Sequence, residues 1–97
     1  MKTTVLHRIA EVWGVSVASI YSRSKIREVV EARFVYMWYL RRAHNMPFHK
    51  IGFEVNRNHS TVIHAMKVVD GLYWAYADFR LKMHKSEVPC PERSSTK

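Results

Sequence analysis

Hydrophobic positions recur at helical spacing along most of the 97-residue chain. Val5, Ile9, Val12 and Trp13 predict a first helix over residues 5–13. Thr4 suits its N-cap, and Gly14 suits a left-handed stop. Ser16 then predicts the cap of a short second helix, Val17 to Tyr21, with Val17, Ile20 and Tyr21 inward. A long third helix is expected from about Glu28 to His44. Glu28 and Glu31 suit its positive N-terminus, and Arg41, Arg42 and His44 its negative end. Asn45 suits the C-cap. Tyr36, Met37, Leu40 and Ala43 are expected in the core. The aromatic run of Phe34, Tyr36, Trp38 and Tyr39 reads as packing rather than base stacking.

Pro47 predicts the first turn of a fourth helix reaching about Val55, with Phe48, Ile51 and Val55 inward. Gly52 is expected where two helices cross closely. Asn56-Arg57-Asn58 forms a turn, and Asn58 caps a fifth helix. On that helix Ser60, His64 and Lys67 share one stripe. Val62, Ile63, Met66, Val69 and Tyr73 fall roughly opposite. The helix either runs unbroken to about Lys85 or stops near Gly71 and restarts. Ala65, Val68, Leu72, Tyr76, Phe79 and Met83 form a second apolar stripe, more than one core face needs. It is expected to pack back on the first helix. A homodimer seam or a protein partner is the alternative.

The pattern predicts an all-α fold, a small bundle of five to six helices with one domain over residues 1–85. The stretch 86–97 is polar, carries Pro89 and Pro91, and is expected to be a disordered tail. Helix, tight polar turn and helix are the elements of a helix-turn-helix. The short hydrogen-bonding groups on the fifth helix suit a DNA groove.

Charge sharpens this picture. Sixteen Lys and Arg stand against eight Asp and Glu, a net +8, and the pI is about 10.0. An anionic partner is expected, nucleic acid before a membrane surface. Nine Lys and Arg and three Glu lie between Ser22 and Lys67, which concentrates the excess around the motif. Ser22 to Arg27 reads as a basic loop whose Arg23, Lys25 and Arg27 suit phosphates or a minor groove. One cysteine, Cys90, forms no intrachain disulfide, and a reduced, cytoplasmic setting is expected. The longest apolar run, Phe34 to Leu40, is too short to span a bilayer, and no signal peptide is expected. His59 and His64 are five residues apart and off one helical face, so no metal is expected. His59 beside Ser60 has no carboxylate to orient it, so neither catalysis nor a cofactor is expected.

The region from about Ile9 to Leu72 resembles the C-terminal DNA-binding domain of the bacterial replication initiator DnaA, a Trp-repressor-like helix-turn-helix. Four pieces carry the resemblance in order: Ile9 to Ile20, the basic loop 22–27, Ile51-Gly52, and Asn58-His59-Ser60-Thr61-Val62-Ile63-His64-Ala65. The last is similar to the family signature Gly-Gly-Arg-Asp-His-Ser/Thr-Thr-Val. The resemblance implies double-stranded DNA as partner, with His59, Ser60, Thr61 and His64 near base edges. Asn58 either reads a base or caps the helix. Arg33, Arg41, Lys50, Arg57 and Lys67 are implied on phosphates, and Arg23, Lys25 and Arg27 at the adjacent minor groove. The chain departs from the pattern in five places. Both signature glycines are missing, the turn is one residue shorter, the signature Asp is Asn58, Lys25 stands where the family has its minor-groove arginine (with Arg23 or Arg27 as substitutes), and Phe34 replaces a polar phosphate contact. An amide both donates and accepts, which suits adenine better than cytosine. A recognised sequence different from the family's usual one is implied. The initiator's ATPase needs a Gly-x-x-x-x-Gly-Lys-Ser/Thr loop, which these residues lack. The resemblance therefore implies a DNA-reading module standing alone, of bacterial, phage or mobile-element origin, with a role in replication or transcription control.

Overall fold

The computed structural model describes residues 2–92, and six helices follow one another there. They are α1 (Lys2–Trp13), α2 (Val17–Tyr21), α3 (Arg27–His44), α4 (Phe48–Val55), α5 (His59–Ala75) and α6 (Ala77–Ser86). No strand occurs among the described residues. The bundle is all-α, as the periodicity predicts.

α3 is the central rod, and α1, α2, α4 and α5 all pack against it. It buries Val29, Ala32 and every residue from Val35 to Leu40. The aromatic run expected as packing is therefore mostly core, with Phe34 half-buried. Ala43, expected in the core, is exposed, because the last turn of α3 runs past its neighbours. Asn45 closes the helix in the left-handed conformation at φ 51°.

Local chemistry sets most of the boundaries. Gly14 turns left-handed at φ 70°, and Ser16 Oγ accepts from the Ser19 N–H at 3.1 Å to cap α2. α1 begins earlier than expected. Thr4 lies inside it and caps nothing, because neither Pro nor Gly stops the helix short of Lys2. Pro47 stands one residue outside α4, extended at ψ 149°, and its carbonyl accepts from Lys50 and Ile51, each at 3.0 Å.

The long last segment breaks at Tyr76, not Gly71. Gly71 sits within α5, and Tyr76 is extended at φ −129° and ψ 121°. Arg80 Nη1 donates to the Tyr73 carbonyl at 2.7 Å and satisfies an acceptor the break leaves over. The break turns α6 onto α1, where Phe79 meets the Trp13 ring edge-on at 5.7 Å. The second apolar stripe thus packs within the chain through Ala65, Phe79 and Met83, while Tyr76 falls out of it and is exposed.

The stretch after α6 corrects the sequence reading. Ser86 and Val88 are buried, Trp38 Nε1 donates to the Pro89 carbonyl at 2.7 Å, and Glu87 pairs with Arg8 at 3.5 Å. Residues 87–91 form a strap on α3 and α1, because Val88 supplies an apolar anchor and Pro89 a free acceptor. The rest of the expected tail, residues 93–97, lies outside the described residues.

Candidate nucleic-acid interface

α4, the turn 56–58 and α5 form the helix-turn-helix. Its tightness begins with Gly52. The Arg57 N–H donates to the Gly52 carbonyl at 2.7 Å, folding the turn back over the glycine. A Cβ on Gly52 would meet the Arg57 carbonyl oxygen. The close neighbour is the backbone of the turn rather than a crossing helix. Asn56 adopts the left-handed conformation at φ 59°. An Asn tolerates this better than most residues, which lets the turn close without the family's glycines.

Asn58 is the cap of α5. Its Oδ1 accepts from the Thr61 N–H at 3.0 Å and from Thr61 Oγ1 at 3.2 Å. Of the two roles open to Asn58, the oxygen is committed to capping, and the amide nitrogen points to no partner among the described residues. α5 buries Val62, Ala65, Val69 and Tyr73 against the bundle. His59, Ser60, His64 and Lys67 are exposed on the other side, and Thr61 is half-buried. Ile63, expected among the inward residues, lies on the flank of this outer face and is 37% exposed. His64 meets the ring of Phe34 edge-on at 6.0 Å.

Arg33, expected on a phosphate, is placed otherwise. It is 4% exposed, and its guanidinium donates to Ile20 O at 2.7 Å, Ser19 O at 3.2 Å and Ser22 O at 2.8 Å. These carbonyls belong to the last turn of α2 and its cap; Ser19 O also accepts from the Ser22 N–H at 3.1 Å, whereas Ile20 O and Ser22 O rely on side-chain donors. Burial, and secondarily the nearby Arg57 charge, hold the Arg33 pKa below its usual value. Arg57 is also turned inward. Its Nη1 donates to Val55 O at 3.2 Å and Asn56 O at 3.0 Å, and its Nη2 to Ser22 O at 2.6 Å.

The remaining basic residues divide. Arg23, Ser24 and Lys25 line a cleft with Phe34, Arg57 and Thr61, beside the start of α5. Arg27 turns away from that cleft and pairs with Glu31 at 3.3 Å on the side of α1 and α6. Glu31 also accepts from Trp13 Nε1 at 3.0 Å. Arg41 lies over the Phe48 ring at 4.4 Å and donates to Met46 O at 3.2 Å. It supports the start of α4 while staying half-buried. Lys50 and Lys67 are exposed on α4 and α5. Among the described residues the ion pairs are Arg8–Glu87 and Arg27–Glu31. Arg23, Lys25, Lys50 and Lys67 therefore have no carboxylate partner among the described residues. No three His, Cys, Asp or Glu side chains come together as metal ligands among the described residues. No described helix is long and apolar enough to cross a membrane.

Sequence reasoning missed two features. The Ser22 carbonyl is a shared acceptor for two guanidinium groups, and no side-chain pattern signals that. The burial of Arg33 does have a signal: Val29, Arg33, Tyr36 and Leu40 recur at spacings of four, three and four.

Comparison with known proteins matches this architecture. Residues 3–69 fit the family model described as the bacterial dnaA protein helix-turn-helix. The chain is 35% identical over 66 residues to the chromosomal replication initiator protein DnaA 1 of Chlamydia pneumoniae, covering 68% of this chain and 14% of that protein. It is 35% identical over 65 residues to the DnaA of Dechloromonas aromatica, covering 66% of this chain and 14% of that protein. With the DnaA of Bacteroides fragilis the identity is 30% over 91 residues, covering 93% of this chain and 19% of that protein. The chain thus spans less than a fifth of the length of these relatives. With the matched residues running from α1 through the three-residue turn into the Asn58-capped α5, the chain belongs to the helix-turn-helix family of bacterial DnaA proteins.

Proposed function

We propose that this chain binds double-stranded DNA sequence-specifically and acts in the control of replication or transcription, on DNA in the cytoplasm. One observation carries the reading. The outer face of α5 presents Ser60, Ile63, His64 and Lys67 beside a cleft whose Arg23 and Lys25 have no carboxylate partner among the described residues. Short donors and acceptors with one apolar group suit base edges and a thymine methyl in the major groove. The amide nitrogen of Asn58 adds a donor at the helix start, while its oxygen is held by Thr61. Lys67 and Lys50 are the phosphate contacts, with Arg41 a weaker one because stacking holds it. Lys25 and Arg23 serve the neighbouring minor groove. The chemistry proposed is binding, with no catalytic step and no ATP turnover in these residues. The alternative, a protein-interaction module built on the second apolar stripe, loses Ala65, Phe79 and Met83 to packing within the chain.

Retardation of a duplex at two salt concentrations tests the proposal. Lys67→Ala is expected to weaken selected and random duplexes alike and to flatten the slope of log affinity against log salt by about 0.9. Ser60→Ala is expected to leave random-duplex binding unchanged and to reduce discrimination by about 1–3 kcal/mol. Wild-type protein that retains no duplex at low salt would sink the reading. Identical behaviour of the two variants on both duplexes would sink the division of roles.

A further inference from the structure

We propose that Arg57 is a positioning residue. It fixes the basic loop against the start of the reading helix by holding the Ser22 carbonyl, so that the two groups of DNA contacts share one register before DNA arrives. This rests on the DNA-binding reading above.

The geometry begins at Ser22 O. It accepts from Arg57 Nη2 at 2.6 Å and from Arg33 Nη2 at 2.8 Å. One guanidinium comes from the turn between α4 and α5, the other from the middle of α3. Their charges repel, and no carboxylate bonds to either among the described residues. Carbonyl dipoles hold them instead: Val55 O and Asn56 O for Arg57, Ser19 O and Ile20 O for Arg33. Two cations pressed onto one acceptor hold it more firmly than one neutral donor can.

The loop beyond Ser22 is wound on itself. Ser22 Oγ donates to Ser19 O at 2.6 Å and accepts from the Ser24 N–H at 3.1 Å. Ser24 Oγ accepts from the Ile26 N–H at 3.2 Å. These bonds stiffen 22–26, and the Arg57 bond, spanning 35 residues of sequence, carries that stiffness to the helix-turn-helix. At the other end Arg57 is fixed by its own N–H on Gly52 O at 2.7 Å. A rigid path thus runs from α4 through Arg57 and Ser22 to Lys25. The donors of Arg57 are aimed at protein acceptors, which sets it apart from a plain phosphate contact such as Lys67. Lys cannot replace it, because one ammonium lacks the planar fork that spans three carbonyls.

Two variants of the full chain test this, Arg57→Gln and the charge-conserving Arg57→Lys. Without DNA, amide exchange at Ser24 and Ile26 is expected to rise about tenfold in both, while amides in the middle of α3 hold their protection. Should the Gln variant also lose α3 protection, the Lys variant decides. Unchanged loop exchange overturns the proposal. With DNA, the probe is the duplex that wild-type protein selects from a random pool. Lys25→Ala is expected to weaken its binding about tenfold in the wild-type background and less than about twofold beside Arg57→Lys, because a released loop has already lost its register. Additive costs would make Arg57 an independent phosphate contact and overturn the positioning role while DNA binding stands. Failure of wild-type protein to retain any duplex would overturn the DNA reading, and the role with it, whatever the exchange result.

Discussion

Arg33→Ala is expected to lower stability by about 3 kcal/mol, enough to move the melting temperature of a chain this size down by about 15 °C. Arg33 satisfies Ser19 O, Ile20 O and Ser22 O from a site that is 4% exposed. Removing the guanidinium orphans the buried Ile20 O, at about 1–3 kcal/mol, and takes one charge-assisted bond each from Ser19 O, which keeps the Ser22 N–H and Oγ, and Ser22 O, which keeps Arg57. Entry of water into the vacated space, and relief of the desolvated charge, return part of that. Arg33→Lys should fall nearly as far, because one ammonium cannot reach three carbonyls. Denaturant and thermal unfolding measure both variants. A loss under about 1 kcal/mol for Arg33→Ala would show that the carbonyls find water without difficulty and that the clamp on α2 is dispensable.

Gly52→Ala is the second large effect. A Cβ there meets the Arg57 carbonyl oxygen, with Arg57 C and Asn58 C each at 3.3 Å behind it. Backbone cannot swing aside as a side-chain end can, so the turn must move. The expected cost is about 3 kcal/mol or more, with binding to the selected duplex lost as the start of α5 shifts. Gly71→Ala is the matched control. That glycine lies within α5, and nothing stands within 4 Å of its added Cβ. The same substitution should there stabilise by about 0.5–1 kcal/mol, because Ala is the better helix former. If both variants unfold at the same denaturant concentration, crowding at Gly52 is not what the fold requires.

Features whose causes are local were legible in the sequence. Ser16, Asn45 and Asn58 cap their helices as their side chains dictate, and each bonds or turns within a few residues of itself. The helix-turn-helix was legible for the same reason, since α4, the turn and α5 carry their own periodicity and caps. What the sequence hid depends on partners far away in the chain. The break at Tyr76 follows from docking α6 on Trp13, a residue of α1, and no Pro or Gly marks it. Val88 looked like one apolar residue in a polar tail until α3 and α1 supplied a surface for it.

The site divides along the same line. The outward positions of Ser60, His64 and Lys67 follow from helical spacing alone. The directions of Arg33, Arg57 and Arg27 do not, because a long basic side chain reaches whichever acceptor the fold brings near. Arg33 and Arg57 found carbonyls, and Arg27 found Glu31. Counting basic residues between Ser22 and Lys67 overstated how many of those charges face outward.

The strap that closes the described chain has a consequence for how the domain opens. The Trp38–Pro89 bond joins residues 51 positions apart, and the segment beyond α6 adds the buried Val88 and Pro91, the half-buried Cys90 and the Arg8–Glu87 ion pair. The strap is five residues long and has no helix of its own, so its release is an excursion of lower energy than unfolding of the six helices. Each excursion bares the Trp38 indole to solvent. The emission of Trp38, read with Trp13 and Trp74 replaced by Phe, should therefore register this opening well before the bundle melts, giving the molecule an internal gauge of events at its chain end.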